Sequence, residues 1–333
     1  MNDSAHGPRT SVLSLFCDRA LEAGWLLGVT ITPVFFNVYS SRVFEPDKLT
    51  TLRTLALVMS VLWLVRLVES LLHGQRPLRF SWRTPMVLAA LLTMVLYLIS
   101  SIFSLVPYTS FIGSYQRLQG TYTLFGYLVI FFAMLTGLRT RTQLSRLMTV
   151  LILNSLPISL YGIIQRKGWD PLPWAGNVQR RVASNMGNAI FVAAYLIMIV
   201  PLTAARIVQS FNDILSREDA RISDILRAAG YIFLLAVQLW TIWLSKSRGP
   251  WLGLVAAGFL FPYLTLIILQ RRALIEEETP APPWFMQVLY GIGFGLGTLG
   301  LAAFLTLLGI LAFDGSLGVG IGGGVGALVF GAL

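Results

Sequence analysis

The chain has 333 residues, of which 56% are hydrophobic and only 12% are charged. Soluble domains carry about 25% charged residues, so this composition excludes an ordinary soluble protein and indicates a membrane protein. A net charge of +10 would suggest nucleic acid in a soluble protein. Here the basic residues lie in short segments between apolar runs, which favours membrane lipids and phosphate groups as partners and no nucleic acid. Cys17 is the only cysteine, and no Cys/His cluster predicts a metal site.

Apolar runs of about 20 residues predict an all-α fold, a polytopic transmembrane helical bundle with about nine spans. The extreme N-terminus is polar and no small-residue cleavage site follows the first run. We therefore interpret 1–20 as a cytoplasmic N-terminal segment, 21–313 as the transmembrane domain and 314–333 as a glycine-rich tail. The predicted spans lie near 21–40, 51–73, 85–106, 121–138, 145–164, 188–208, 228–244, 251–270 and 285–313.

The distribution of Lys and Arg favours a cytoplasmic N-terminus, although the bias is weak because the outer segments after residue 106 remain rich in cations. Asp170 is the one carboxylate in those outer segments, which indicates that positive charge is needed there. Within the second span, the spacing of Arg66 and Glu69 predicts an ion pair on one helix face. The segment 211–230 is interpreted either as an amphipathic helix along the inner interface or as a plain helical connector.

The first outer segment whose residues could bind a ligand is GSYQRLQG, residues 113–120. In it, Arg117 lies between amide side chains and glycines. A guanidinium group in such a loop can approach a phosphate closely and bind it through two hydrogen bonds. The alternative is a membrane-interface loop anchored by Tyr115 and Tyr122.

The second outer segment is the long loop 166–188, which places Trp169 and Trp174 among several cations. Tryptophans beside cations are typical of the membrane interface, and indole rings also pack against sugars. Arg180 and Arg181 are the candidates for phosphate binding in this loop.

Polar residues follow these arginines at the mouth of the sixth predicted span. Ser184, Asn185 and Asn188 lie where a membrane helix begins, and polar groups there normally need a partner or a ligand. Helix capping by Ser184 or Asn185 is the alternative.

The third outer segment is SKSRGPWLG, residues 245–253, a tight break between two spans with Lys246 and Arg248. Pro250 suits the first turn of the next helix, and Gly249 permits an abrupt reversal. Arg248 then lies at the positive end of that helix, an arrangement that a bound anion would stabilise. We expect the three segments to form one basic pocket for a diphosphate around Arg117, Arg181 and Arg248.

The order of GSYQRLQG, then RVASNMGN before a span, then SRGPWLG at the start of another resembles the O-antigen ligase and polymerase superfamily over roughly 20–310. The resemblance implies a GT-C-like membrane glycosyltransferase of the bacterial inner membrane that acts in lipopolysaccharide and cell-envelope biosynthesis. Such proteins transfer a glycan from undecaprenyl diphosphate, at the periplasmic face, to lipid A core, a polymer or a protein acceptor, without a metal or cofactor. The resemblance assigns diphosphate binding to Arg181 and Arg248, with Arg117 as a third arginine. The full predicted substrate-binding set is Arg117, Arg180, Arg181, Asn188, Lys246 and Arg248.

One family feature has no counterpart in this sequence. Family ligases use a histidine in a large periplasmic loop, whereas this chain has only His6 and His73, both predicted to be cytoplasmic. The catalytic residue is therefore unknown, and a truncated remnant of a transferase is one expectation. A secondary transporter for an anionic solute and a non-catalytic membrane binding subunit are the alternatives.

Overall fold

The computed structural model describes residues 11–39, 44–73, 84, 86–172, 174, 176–215 and 221–276. The chain divides into two compact units, Met1–Asn188 (unit 1) and Ala189–Leu333 (unit 2). Regular secondary structure in the described ranges is entirely helical. His6, the predicted span 285–313 and the tail 314–333 lie outside the described residues.

The described part of unit 1 contains six α-helices and one short 3-10 turn. These are α1 (Val12–Val34), α2 (Pro46–Leu72), α3 (Val87–Ile102), α4 (Pro107–Ile112), α5 (Thr121–Gly137), α6 (Arg141–Lys167) and the 3-10 turn Ser184–Met186. The described part of unit 2 contains α7 (Ala189–Leu215), α8 (Ile222–Ser245) and α9 (Arg248–Glu276).

Local sequence signals set the ends of several helices. The Ser11 side chain accepts hydrogen bonds from the first turn of α1, and Pro46 occupies the first position of α2. Helix α6 begins with a capping box between Thr140 and Gln143 and ends at Gly168, whose φ of 74° is left-handed.

Four described helices are long and apolar enough to cross a membrane, namely α2, α6, α7 and α8. Helices α3 and α5 are shorter but also apolar. These helices indicate a membrane protein, and each of the first eight predicted spans overlaps a helix. Helix α1, however, begins at Val12 rather than near 21, because the charged residues that suggested a boundary lie on a helix whose other face is buried.

The segment 211–230 does not form a separate interfacial helix. Helix α7 continues through Leu215, and α8 begins at Ile222, with 216–220 outside the described residues. The apolar periodicity of this segment therefore belongs mainly to the ends of two long helices.

The core of unit 1 lies where α1, α2 and α5 meet. Leu21, Trp25, Met59 and Ala133 are all buried there and contact one another. Gly137 allows the close approach of α5 to Trp25, since an added Cβ would lie 2.5 Å from the indole ring.

Charged residues tie the helices together at the end of unit 1 where α2 terminates, which we call the ion-pair end. The predicted pairing of Arg66 with Glu69 is wrong: Arg66 pairs with Asp18 of α1, and Glu69 accepts a hydrogen bond from Ser11. The contact between α1 and α2 offers Arg66 a carboxylate on another helix, which intrahelical spacing could not reveal. The same end contains the pairs Asp18–Arg139 (3.7 Å) and Glu22–Arg146 (2.8 Å).

Candidate functional site

Two of the predicted outer segments are fastened to the same end of α2, the end at which the helix begins. Lys48, in the first turn, donates a 3.0 Å hydrogen bond from Nζ to the carbonyl of Asn185. Arg53 donates from Nη2 to the carbonyls of Ile112, at 2.6 Å, and Leu118, at 2.5 Å. The start of α2 therefore holds both the 113–120 loop and the 183–185 segment, and we call this region the loop end of unit 1.

The 113–120 loop is a closed ring with Arg53 at its base. The Arg53 Nε donates to Thr123 Oγ1 at 2.8 Å, and its guanidinium lies 4.7 Å from the ring centroid of Tyr122. The ring closes at its two glycines: Gly113 has a φ of +98°, and a Cβ on Gly120 would lie 2.5 Å from the Gly113 nitrogen. Glycine is needed at both positions because of this close approach and the left-handed backbone.

Arg117 extends from this ring toward solvent. Its side chain is 70% exposed, and its Nε lies 3.7 Å from a carboxylate oxygen of Glu45 just before α2. Tyr115 beside it is exposed, whereas Tyr122 packs against Arg53, so only Tyr115 is available as the interfacial anchor that the sequence suggested. An exposed, loosely paired guanidinium on a fixed ring suits anion binding.

Asp170 organises the beginning of the long 166–188 loop. Its Oδ2 accepts hydrogen bonds from Tyr161 (2.9 Å), Trp174 (2.7 Å) and Gln165 (3.3 Å), and its Oδ1 accepts from the backbone N–H of Leu172 (3.1 Å). Burial alone would raise the pKa of Asp170, but these four donors outweigh it and hold the pKa below its ordinary value. The carboxylate is therefore an ionised anchor for the loop.

The two tryptophans of this loop have different environments. Trp174 stacks on Phe44, with ring centroids 5.2 Å apart, and its indole N–H is bonded to Asp170. Trp169 is 73% exposed. Trp174 therefore stabilises the loop, and Trp169 is the residue with a ring available to lipid or sugar.

Gln165 fixes the far end of the same loop from inside α6. Its side chain is fully buried, and its Oε1 accepts the backbone N–H groups of Ala183, at 3.1 Å, and Ser184, at 2.7 Å. The Ser184 hydroxyl in turn donates to the carbonyl of Ile158 at 2.7 Å. These bonds satisfy buried backbone groups that have no partner in a regular helix.

Asn185 continues this arrangement toward α1. Its Nδ2 donates to the carbonyls of Pro33, at 2.9 Å, and Val34, at 2.7 Å, where α1 ends. Ser184 and Asn185 therefore neither cap α7, which begins at Ala189, nor face a ligand. They are buried connections within unit 1, so the capping alternative is wrong, and the expected partners of these polar groups are backbone carbonyls of α1 and α6.

The cations of the loop lie on the exposed side of this buried framework. The Asn177 side chain accepts the backbone N–H of Arg180 at 2.9 Å and closes a turn, from which Arg180 and Arg181 are exposed. Arg166 donates to the carbonyl of Gln179. Asn188 is exposed at the end of unit 1, directly before α7.

In unit 2, the segment 245–253 is a sharp break between α8 and α9. Lys246 ends α8 in a left-handed conformation, with a φ of 48°, and Ser245 and Ser247 on either side are buried. Helix α9 begins at Arg248, two residues before the expected start at Pro250, and Arg248 is exposed at its first position. The arginine thus lies at the positive end of a helix, as expected from the sequence.

No family model, curated protein or solved structure matches this chain. The resemblance to O-antigen ligases therefore stays a prediction that rests on the three motifs. Lys48, Arg53 and Gln165 were not among the predicted site residues, yet they hold the candidate loops in place. The one signal for them in the sequence is a polar side chain within or beside an apolar helix, and that signal does not identify the partner.

Proposed function

We propose that this chain binds an undecaprenyl-diphosphate-linked glycan and takes part in its transfer to a lipid, polymer or protein acceptor at the periplasmic face of the bacterial inner membrane. The proposed contacts to the diphosphate come from cations of the predicted set. Arg117, Arg180 and Arg181 on unit 1 and Arg248 on unit 2 are exposed, and Lys246 on unit 2 is half-buried. Asn188 is proposed as a polar contact to the donor.

The observation that supports this proposal most is the fixed backbone beneath exposed arginines at the loop end of unit 1. Arg53 closes the ring that carries Arg117, while Gln165 and Asp170 hold both ends of the loop that carries Arg181. A purely solvated surface arginine needs no such support. Preorganised guanidinium groups bind phosphate at a lower entropic cost, and they retain their charge beside lipid.

The chemistry of glycan transfer is consistent with such a site. The bond between the glycan and the diphosphate oxygen breaks, the acceptor hydroxyl oxygen forms the new glycosidic bond, and its proton is released. Negative charge grows on the departing diphosphate, so fixed cations stabilise the transition state more than the ground state.

A non-catalytic binding subunit is the second candidate, and two observations favour it. His73 lies at the terminus of α2, at the opposite end of the helix from Lys48. The Asp170 carboxylate at the loop end accepts four hydrogen bonds and has a lowered pKa, which makes it a poor general base. Binding of the donor without turnover would follow.

The test uses the purified chain in lipid nanodiscs with radiolabelled undecaprenyl-diphosphate-linked glycan and lipid A core as acceptor. Bound donor and released undecaprenyl diphosphate are measured together. The proposal predicts saturable donor binding; concurrent release identifies a transferase, and binding alone identifies a binding subunit. Absence of saturable binding would refute the proposal. Uptake of inorganic phosphate into proteoliposomes in its place would favour a transporter.

A further inference from the structure

The segment that connects α3 to α5 has an unusual composition for a connection between two membrane helices, and the two helices that it connects are unusually short. From Thr84 to Gln116 the chain has no charged side chain. Helix α3 has 16 residues and α5 has 17, which correspond to lengths of about 24 and 26 Å. Both are shorter than a hydrocarbon core of about 30 Å, so the apolar corner that joins them continues the membrane segment.

Contacts with α2 show that α5 begins farther from the loop end of unit 1, along the axis of α2, than α2 itself does. Arg53, seven residues after Pro46, bonds Thr123, which is only two residues after the start of α5. Further along, Gly126 packs against Leu52 and Ala56 of α2. At a rise of about 1.5 Å per residue, α5 begins roughly one helical turn deeper than α2.

Helix α4 lies at the same depth as this first turn of α5. Phe111 of α4 contacts Phe125 edge to face, with centroids 6.5 Å apart, and the Thr121 hydroxyl lies 3.4 Å from the carbonyl of Ser110. The corner therefore lies below the level at which the longer helix α2 begins.

The largest side chains of this corner are apolar or aromatic, and several of them are exposed in the described part of the chain. Leu105 is fully exposed, and Phe103 (82%) and Tyr108 (77%) are nearly so. They continue the exposed apolar surface of α3, which includes Leu96. A soluble surface would not concentrate such residues, whereas lipid acyl chains would cover them.

We propose that residues 103–112 form a re-entrant corner inserted among the acyl chains of the bilayer. Irregular backbone is tolerated at such depth only where protein groups satisfy its carbonyls. Arg53 satisfies the carbonyl of Ile112 at the end of the corner and that of Leu118 within the ring 113–120. The partner of this surface is the bilayer itself.

The insertion has a consequence for Arg117, the single charged residue between Arg83 and Arg139. Because the ring follows the inserted corner directly, Arg117 lies at the depth of lipid head groups rather than above them. A phosphate that diffuses within the plane of the membrane reaches it without leaving the bilayer. This inference depends on membrane insertion and is independent of donor binding and transfer.

The test measures the depth of nitroxide spin labels in phospholipid nanodiscs. Leu105→Cys and Tyr108→Cys are labelled one at a time, with Leu96→Cys in α3 as the lipid reference and Asn177→Cys in the polar loop as the aqueous reference. Cys17 is buried and is either retained or replaced by alanine, so that two backgrounds are available. Collision with oxygen reports lipid exposure, and collision with a water-soluble nickel chelate reports water exposure.

We expect the ratio of oxygen to nickel collisions at 105 and 108 to be several times higher than that at 177 and to approach that at 96, which lies deeper in the bilayer. Ratios at 105 and 108 that match 177 would show an aqueous corner and overturn the inference. Protection of both labels from both reagents would show a protein partner and would also overturn it.

Discussion

Replacing Gln165 with alanine tests whether the buried amide fixes the loop that carries the exposed arginines. The substitution removes the acceptor of the backbone N–H groups of Ala183 and Ser184, in a region sealed from solvent. A buried donor that loses its acceptor costs about 1–3 kcal/mol, so two donors give a local destabilisation of about 2–6 kcal/mol. Each 1.4 kcal/mol changes an equilibrium constant tenfold, which corresponds to at least about 30-fold more frequent local opening.

Hydrogen exchange of the amides of Ala183 and Ser184 measures this opening directly. We expect both amides to exchange at least about tenfold faster in Gln165→Ala, since partial rehydration recovers some of the lost hydrogen bonding. Gln179→Ala is the matched control, because that side chain is exposed in the same loop and its backbone carbonyl still accepts from Arg166. Equal exchange in Gln165→Ala and the native chain would refute the reasoning.

Three further predictions concern packing, pairing and pH. Gly137→Ala should lower the free energy of unfolding by about 1–3 kcal/mol, because its Cβ would collide with a buried indole, whereas Gly230→Ala in open space should not; thermal unfolding in detergent compares them. A double-mutant cycle on Asp18→Ala and Arg66→Ala should give a coupling above about 0.5 kcal/mol, and additive effects would contradict their ion pair. Because the pKa of Asp170 is lowered in the folded chain, its carboxylate should stabilise the loop fully above about pH 4 and lose that effect as the pH falls through the lowered pKa. The difference in unfolding temperature between the native chain and Asp170→Asn should therefore vanish on acidification, and a difference independent of pH would contradict the assignment.

The helical fold could be predicted because apolar runs of the right length have few other solutions in a membrane. The boundaries were harder where charge lies on a helix. Asp18 lies within the predicted N-terminal segment 1–20, yet it is inside α1 and paired with Arg66. Helix α4 was not predicted, because its six residues, PYTSFI, include a proline and three hydroxyl side chains and directly follow the predicted span 85–106, where the sequence indicates a connecting segment.

The candidate site could be predicted only in its exposed parts. Arg117 and Arg181 are exposed in loops and Arg248 is exposed at the first position of α9, as expected from glycine, proline and polar breaks in the sequence. The roles of Ser184 and Asn185 could not be predicted. A polar residue at the beginning of a membrane helix indicates that it has hydrogen-bond partners, but the sequence does not identify those partners. Those partners lie on α1 and α6, far away along the chain.

The central claim is that exposed arginines bind the diphosphate of a membrane lipid. The most direct measurement is the affinity of undecaprenyl diphosphate for the chain in nanodiscs, compared between the native chain, Arg181→Gln and Arg141→Gln. Arg141 is the control because it is an exposed arginine at the first position of α6, opposite the end of the helix that leads into the loop. A hydrogen bond to a charged group contributes about 1.5–3 kcal/mol, so we predict a loss of at least about tenfold in affinity for Arg181→Gln and no loss for Arg141→Gln. Equal affinities in all three proteins would contradict the account.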